Sequence, residues 1–240
     1  MTRRTSMESA ARLPRSPIYG IGVCRTGDSV VDYAIGWDDL ERDTDWAQHQ
    51  LLAAGVTDGD HVLMTAPNHE NPWLSPVVRA LRRIGATYTP AETYPWDFTR
   101  FLSVLDRLPI TVVIGLCGDT LGAVQAQQPD LAAQFRDVRL IWARPEAHTE
   151  LVAAGVNSAL LAFLGPALGL ARPDDPDVLR VNGAEWALRE SGGELLASAT
   201  GAPGADHRCP DRVVRPGRHG RRHVARRAVT GGPAQFPIER

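Results

Sequence analysis

The stretch Pro109-Ile110-Thr111-Val112-Val113-Ile114-Gly115-Leu116 is a nearly continuous apolar, β-branched run that begins behind a proline. An unbroken run, rather than alternation, marks a strand buried on both faces. In globular proteins that is the pattern of a parallel strand covered by helices on each side. Just upstream, Phe98, Phe101, Leu102, Leu105 and Leu108 fall at helical spacing, Trp96-Asp97 opens that helix, and Pro109 stops it.

Working outward, the alternation continues in both directions. Asp38 and Asp39 can cap a helix with apolar positions at Leu40, Ala47, Leu51 and Leu52, and Gly55 sits where a left-handed residue closes it. The turn Thr57-Asp58-Gly59-Asp60 leads into a short strand over 61–66. Ser75-Pro76 reads as a helix start, with Val77, Ala80, Leu81 and Ile84 in register and Gly85 as the stop. Residues 86–90, 110–116 and 138–142 read as further strands, and 146–154 as a helix ending at Gly155. Strands alternating with helices of this length predict an α/β, doubly wound, mainly parallel sheet with helices on both faces. After Gly155 the pattern changes. Residues 178–182, 185–189 and 194–198 read as short strands with tight turns, one of them Ser191-Gly192-Gly193, and predict a short antiparallel β segment. The expected organisation is therefore a disordered basic N-terminus (1–17), an α/β subdomain (18–165), a small β-rich segment (166–200), and an Arg/Gly/Pro-rich, disordered tail (201–240).

Composition sets the outer bounds. In 240 residues, 43% hydrophobic and 22% charged, there is enough apolar material for a core without disulfide or metal staples. Cys24, Cys117 and Cys209 are scattered and odd in number, so no zinc or CxxC site is expected, and they suit a reducing, cytoplasmic setting. The longest apolar run, 159–164, is too short to span a bilayer, so no membrane partner is expected. Residues 1–200 carry 17 Arg against 25 acidic residues, whereas residues 201–240 carry 9 Arg against 3. That break marks the tail as compositionally distinct. The chain contains no lysine, which points to GC-rich coding DNA and to a tail translated out of frame. The competing reading is a basic arm for nucleic acid, but the tail has only Phe236 as an aromatic, so nucleic acid is not the expected partner.

Tyr33-Ala-Ile-Gly-Trp37-Asp-Asp-Leu40, a helix, and then Ala54-Gly-Val-Thr-Asp-Gly-Asp-His-Val-Leu63 resemble the opening of the adenylate-forming (AMP-binding) acyl- and aryl-CoA ligases. The order continues with Arg83-Ile84-Gly85-Ala86, Tyr88-Thr89-Pro90 and Pro109-Ile110-Thr111. The likeness covers residues 33–115 well and 138–154 loosely. Within the family the phenylacetate-CoA ligase-like branch is the nearest, on Asn182-Gly-Ala-Glu-Trp186 and Gly193-Glu-Leu-Leu196. A rival alignment makes Ser198-Ala-Thr-Gly-Ala-Pro-Gly204 a decayed phosphate loop, with glycine where the family has lysine.

The resemblance implies activation of a carboxylic acid with ATP and Mg²⁺, followed by transfer to a thiol such as CoA. In the family a lysine neutralises the α-phosphate as the carboxylate attacks, and arginine's rigid fork is not a simple substitute. With no lysine and no convincing phosphate loop, adenylation is not expected of this polypeptide alone. The expected partners are a carboxylic-acid substrate or a complementary chain. The alternative is a small non-catalytic α/β binding or protein-interaction domain.

Other motifs fall short. Asn68-His69-Glu70-Asn71-Pro72-Trp73 begins like a zincin helix but has Trp73 at the second histidine position. Gly20-Ile21-Gly22-Val23 lacks the third glycine of a dinucleotide fingerprint and reads as a hairpin. Gly118-Asp119-Thr120-Leu121-Gly122 mimics a nucleophile elbow with threonine for serine. In an open parallel sheet, ligands bind outside the carboxyl ends of the strands. The candidate pocket residues are therefore Asn68, His69 and Trp73 after one strand, and Glu92, Tyr94 and Trp96 after the next; the plainer reading, which the sequence favours, is that these loop residues pack against their own helix starts. No catalytic residue and no metal ligand is assigned.

Overall fold

A computed structural model describes residues 18–26, 29–91, 98–191, 194–200, 212–214 and 234–236. The expected disordered segment 1–17 lies outside these residues, as does most of 201–240. The chain opens with an antiparallel hairpin, β1 (Ile18–Thr26) and β2 (Ser29–Gly36). Gly22 sits opposite Tyr33 because the tyrosine ring occupies the space a Cβ would need, 2.1 Å from the ring carbon.

Eight strands then form one sheet. Its parallel part contains β3 (His61–Thr65), β4 (Thr87–Ala91), β5 (Val112–Leu116), β6 (Leu140–Ala143) and β7 (Ser158–Leu164), in the order β7-β6-β5-β3-β4. The inner strands β3, β5, β6 and β7 form because their runs are largely apolar on both faces, whereas β4 is an edge strand that buries only Ala91. Val62, Val112, Ile114, Leu140 and Trp142 point into one core, while Leu63, Val113, Leu116 and Ile141 point into the other. Helices α1 (Trp37–Ala53) and α2 (Asn71–Ile84) cover the first core. Helices α3 (Phe98–Arg107), α4 (Gly118–Gln127) and α6 (Pro145–Ala153) cover the second, with the one-turn α5 (Leu131–Gln134) between α4 and β6. This is the doubly wound, mainly parallel α/β architecture that the alternating pattern predicts.

The sheet does not end at β7. It turns back through β8 (Ala167–Arg172) and β9 (Asp175–Val181), both antiparallel, with β12 (Arg212–Val214) at the edge. The Pro/Asp cluster at 173–176 includes the β8–β9 turn within the sheet. The expected antiparallel segment follows as β10 (Trp186–Ser191) and β11 (Glu194–Ala199), joined by β13 (Ala234–Phe236). Among the described residues no helix is long and apolar enough to cross a membrane.

Two local expectations are corrected. Helix α2 starts at Asn71, not Ser75, because Pro72 lies in the first turn where no N–H is required, leaving Pro76 inside the helix. On α1, Leu52 faces outward with 51% of its surface exposed, and the buried stripe runs instead through Leu40, Thr44, Ala47 and Leu51. Thr44 tolerates burial because its hydroxyl donates to the Leu40 carbonyl at 2.6 Å.

Candidate functional site

Strands β3 and β5 are neighbours, yet the chain leaves them in opposite directions: α2 leads from β3 to β4, and α4 from β5 towards β6. That reversal opens a crevice beyond their carboxyl ends. Gly115 makes the approach to β3 possible. Its φ is +97°, and a Cβ there would lie 2.3 Å from the Thr65 carbonyl oxygen.

Three segments converge on the crevice. A short 3₁₀ turn, Asn68–Glu70, follows β3; Cys117 follows β5; Arg144 follows β6. Arg144 donates to Glu70 at 2.5 Å, with side chains only 11% and 16% exposed. Burial pulls the guanidinium below its ordinary range and pushes the Glu70 carboxyl up, while the charge of each partner opposes both shifts. The Phe163 ring lies 3.7 Å from the guanidinium carbon, and Trp73 stacks on Phe163 at 4.6 Å. Among the described residues, Arg144 is thus engaged by an acid and an aromatic face. So engaged, the Arg144 guanidinium has little left to offer a phosphate group.

Of the sequence-derived pocket residues, Asn68 and His69 do lie at the crevice and are exposed. Trp73 is buried, and its indole donates to the Gly165 carbonyl at 2.7 Å. Glu92, Tyr94 and Trp96 lie outside the described residues. The Gly118-Asp119-Thr120 turn does run from strand to helix, but Thr120 is buried and its hydroxyl meets the Cys117 thiol at 3.4 Å, so it offers no nucleophile.

Side chains of Ser158, His148 and Asp177 form a hydrogen-bonded chain with 3.0 Å at each link, in the residue order of a hydrolase triad but with the ring nitrogens exchanged, Nδ1 facing Ser158 and Nε2 facing Asp177. The exposure is reversed, however: Ser158 is buried at the start of β7, and Asp177 is the solvent-facing end. This chain ties α6 to β7 and β9 and presents no serine to a substrate.

On the first-core face a second concavity lies between α1, α2 and the β7–β8 and β9–β10 connections. It is a small cleft with about 20 Å³ of space for water-sized groups, lined by Asp43, Trp46, Trp73, Asn182 and Trp186 together with prolines. Asn182 donates to Asp43 Oδ1 at 2.8 Å and is itself set by a bond from the Ala184 N–H. Burial raises the Asp43 carboxyl to about 7; the Asn182 hydrogen bond and Arg42 oppose this, while Glu185 and Asp39 reinforce it. Trp46 is 8% exposed, and its indole N–H has no partner among the described residues. Sequence reading missed Asp43 and Trp46 because both lie in a helix whose charged neighbours Glu41, Arg42 and Asp45 read as a solvated face.

No protein-family model and no curated protein matches the chain. Solved structures do. A 2-hydroxyisobutyryl-CoA ligase, solved with 2-HIB-AMP and CoA, superposes with a TM-score of 0.60 at 13% identity, over 82% of this chain and 54% of the ligase. A protein of Rhodopseudomonas palustris CGA009 assigned as a long-chain-fatty-acid CoA ligase gives 0.53 at 17% identity, over 92% of this chain and 58% of its own. The chain spans about half the length of these structures, and over that half it has the fold of the CoA ligases.

Proposed function

We propose that this polypeptide is the front portion of an adenylate-forming acyl- or aryl-CoA ligase architecture, of the phenylacetate-CoA ligase-like branch, and is catalytically silent by itself. The fold likeness over 82% of the chain but 54% of the ligase is the observation that carries the proposal. Two features support the silence. The 240 residues contain no lysine, and the crevice arginine is committed to Glu70. A carboxylic acid and a complementary chain that supplies phosphate-binding groups are the partners this reading requires; ATP, Mg²⁺ and CoA would enter with that chain. The setting is cytoplasmic.

The test is ATP–pyrophosphate exchange by the purified chain across a panel of acyl and aryl acids. No exchange above buffer is expected. Robust exchange by the chain alone would refute the silence. A small binding domain is the second reading, favoured by the tryptophan-lined cleft, which lies on the face of the sheet covered by α1 and α2.

A further inference from the structure

We propose that the cleft at Asp43 binds the ammonium head of a small organic amine, with the Asp43 carboxylate as counter-charge and the apolar walls around the carbon stem. The site is separate from the strand-end crevice, and its occupancy does not depend on the ligase reading.

Three observations converge on a cation. The first is a carboxyl without a counter-ion. An enclosed carboxylate ordinarily sits beside a cation, because its desolvation is otherwise uncompensated. Among the described residues Asp43 accepts only from the neutral amide of Asn182 and joins no ion pair. Asn182 is held in turn by the Ala184 N–H, which fixes the carboxyl at the cleft wall. The second is the charge around it. Asp39 and Glu185 add to the negative potential at Asp43, and Arg42 opposes them. Arg42 is already engaged by both of those acids, by Asp39 at 2.6 Å and by Glu185 through its Nε. Three acids against one committed arginine favour a further positive charge. The third is size and lining. The cleft has space for a water-sized group, which an ammonium head is, and Trp46, Trp73, Trp186 and the prolines offer the apolar surface a carbon stem requires. Trp46 contributes its ring alone; its N–H is enclosed and takes no part.

Other occupants fit less well. A carboxylate would meet all three acids. A neutral hydroxyl could bond to the carboxyl but would leave its charge uncompensated. A bare metal ion needs several oxygen or nitrogen ligands, and among the described residues no group of three such side chains could hold one. Binding of an ammonium requires Asp43 in its ionised form. Burial raises that carboxyl to about 7, with Glu185 and Asp39 acting in the same sense and Asn182 and Arg42 against it. The Tyr33 hydroxyl, on β2, is pushed up by burial, by Cys24 and by Asp43, and stays neutral. Occupancy therefore rises as pH climbs through about 7, while an alkylamine keeps its proton up to about 10.

The test uses the whole chain and four probes at matched ionic strength: propylammonium, n-propanol, propionate and potassium. Indole N–H signals in nitrogen–proton correlation spectra report binding. At pH ~8 propylammonium should shift the Trp46 and Trp186 signals saturably, and the other three probes should bind about tenfold more weakly or less, since each lacks either the charge or the stem. Lowering the pH to ~5.5 should weaken propylammonium by about tenfold or more as Asp43 takes up its proton. Asp43→Asn still accepts from Asn182 but carries no charge; at pH ~8 it should weaken propylammonium by about tenfold and flatten the pH dependence. The probe and pH series on the unaltered chain are decisive even if that variant does not fold. The proposal is overturned if propylammonium gives no saturable shift, if another probe binds as tightly, if its affinity is the same at both pH values, or if folded Asp43→Asn binds it unchanged.

Discussion

Asp43 and Asp60 are two enclosed carboxyls whose titrations pull stability in opposite directions. Burial alone would raise Asp60. Hydrogen bonds from Arg139 at 2.7 Å, from the Thr111 hydroxyl at 2.7 Å and from the Thr57 N–H at 2.7 Å overcome it and hold the carboxyl at about 2, below its ordinary 3.8. Its contribution is therefore complete above 3.8 and lost as pH falls towards 2. Asp60→Asn should cost roughly 2 kcal/mol at neutral pH, the gap closing on acidification through that window. Asp43 behaves in the reverse sense. Its folded value of about 7 means the folded state holds the proton more tightly, so stability declines as pH rises from 3.8 to 7 and is level above. Asp43→Asn, which can still accept from Asn182, should stabilise the chain by on the order of 1–2 kcal/mol in mildly alkaline buffer and change little near pH ~4, after discounting for the open side of the cleft. Urea unfolding of both variants across pH checks the pair, and parallel rather than opposed profiles would contradict it. Neither behaviour was legible in the sequence. Asp60 sits in a Gly-Asp turn that reads as solvent-facing, and the partners of both residues, Arg139 and Asn182, come from segments far along the chain.

At the scale of elements, the inner parallel strands were legible because burial on both faces writes itself as a nearly uninterrupted apolar run. The helix ends were legible because Gly55, Gly85 and Gly155 adopt positive φ where a helix must stop. The continuation through β7, β8 and β9 was less so. Its apolar run at 159–164 carries no period that separates strand from buried helix, and the prolines at 173 and 176 read as a break in the chain although they flank a tight turn and a strand start. The crevice pair was invisible for a different reason: Glu70 and Arg144 belong to separate turns that only the crossover topology brings together. That pair makes a quantitative prediction. Arg144→Met alone leaves Glu70 enclosed without its counter-charge and should cost about 3–5 kcal/mol, as should Glu70→Leu alone. The double substitution should cost less than either single one, because the apolar side chains pack beneath Phe163 without a stranded charge. Equilibrium unfolding of the three variants measures the coupling, and additive losses would show that the two side chains act independently.

For the whole molecule, the decisive fact is a surface rather than a site. On the outer face of the β1–β2 hairpin, Ile21 is 65% exposed, Val23 50% and Val30 57%. They lie on one side because the cross-strand register pairs Arg25 with Val30, two positions beyond Val23. The inner face is spent: Tyr33 packs over Gly22 and against Trp73, and Ile35 joins the first core. Contiguous β-branched side chains on a two-stranded ribbon are a template for association, and a front portion of a larger ligase architecture would leave such a face for the rest of the assembly. The chain alone should therefore self-associate through this ribbon. Replacing Ile21 and Val23 together with threonine keeps the β-branching that suits a strand while removing apolar surface. Since both side chains face solvent, the variant should hold its unfolding free energy to within about 0.5 kcal/mol. Sedimentation velocity should show the unaltered chain shifting to larger species with concentration and the variant remaining a single monomeric species. If both sediment alike, the ribbon is not the contact. If the variant loses stability as well as association, the face is part of the fold rather than a contact surface.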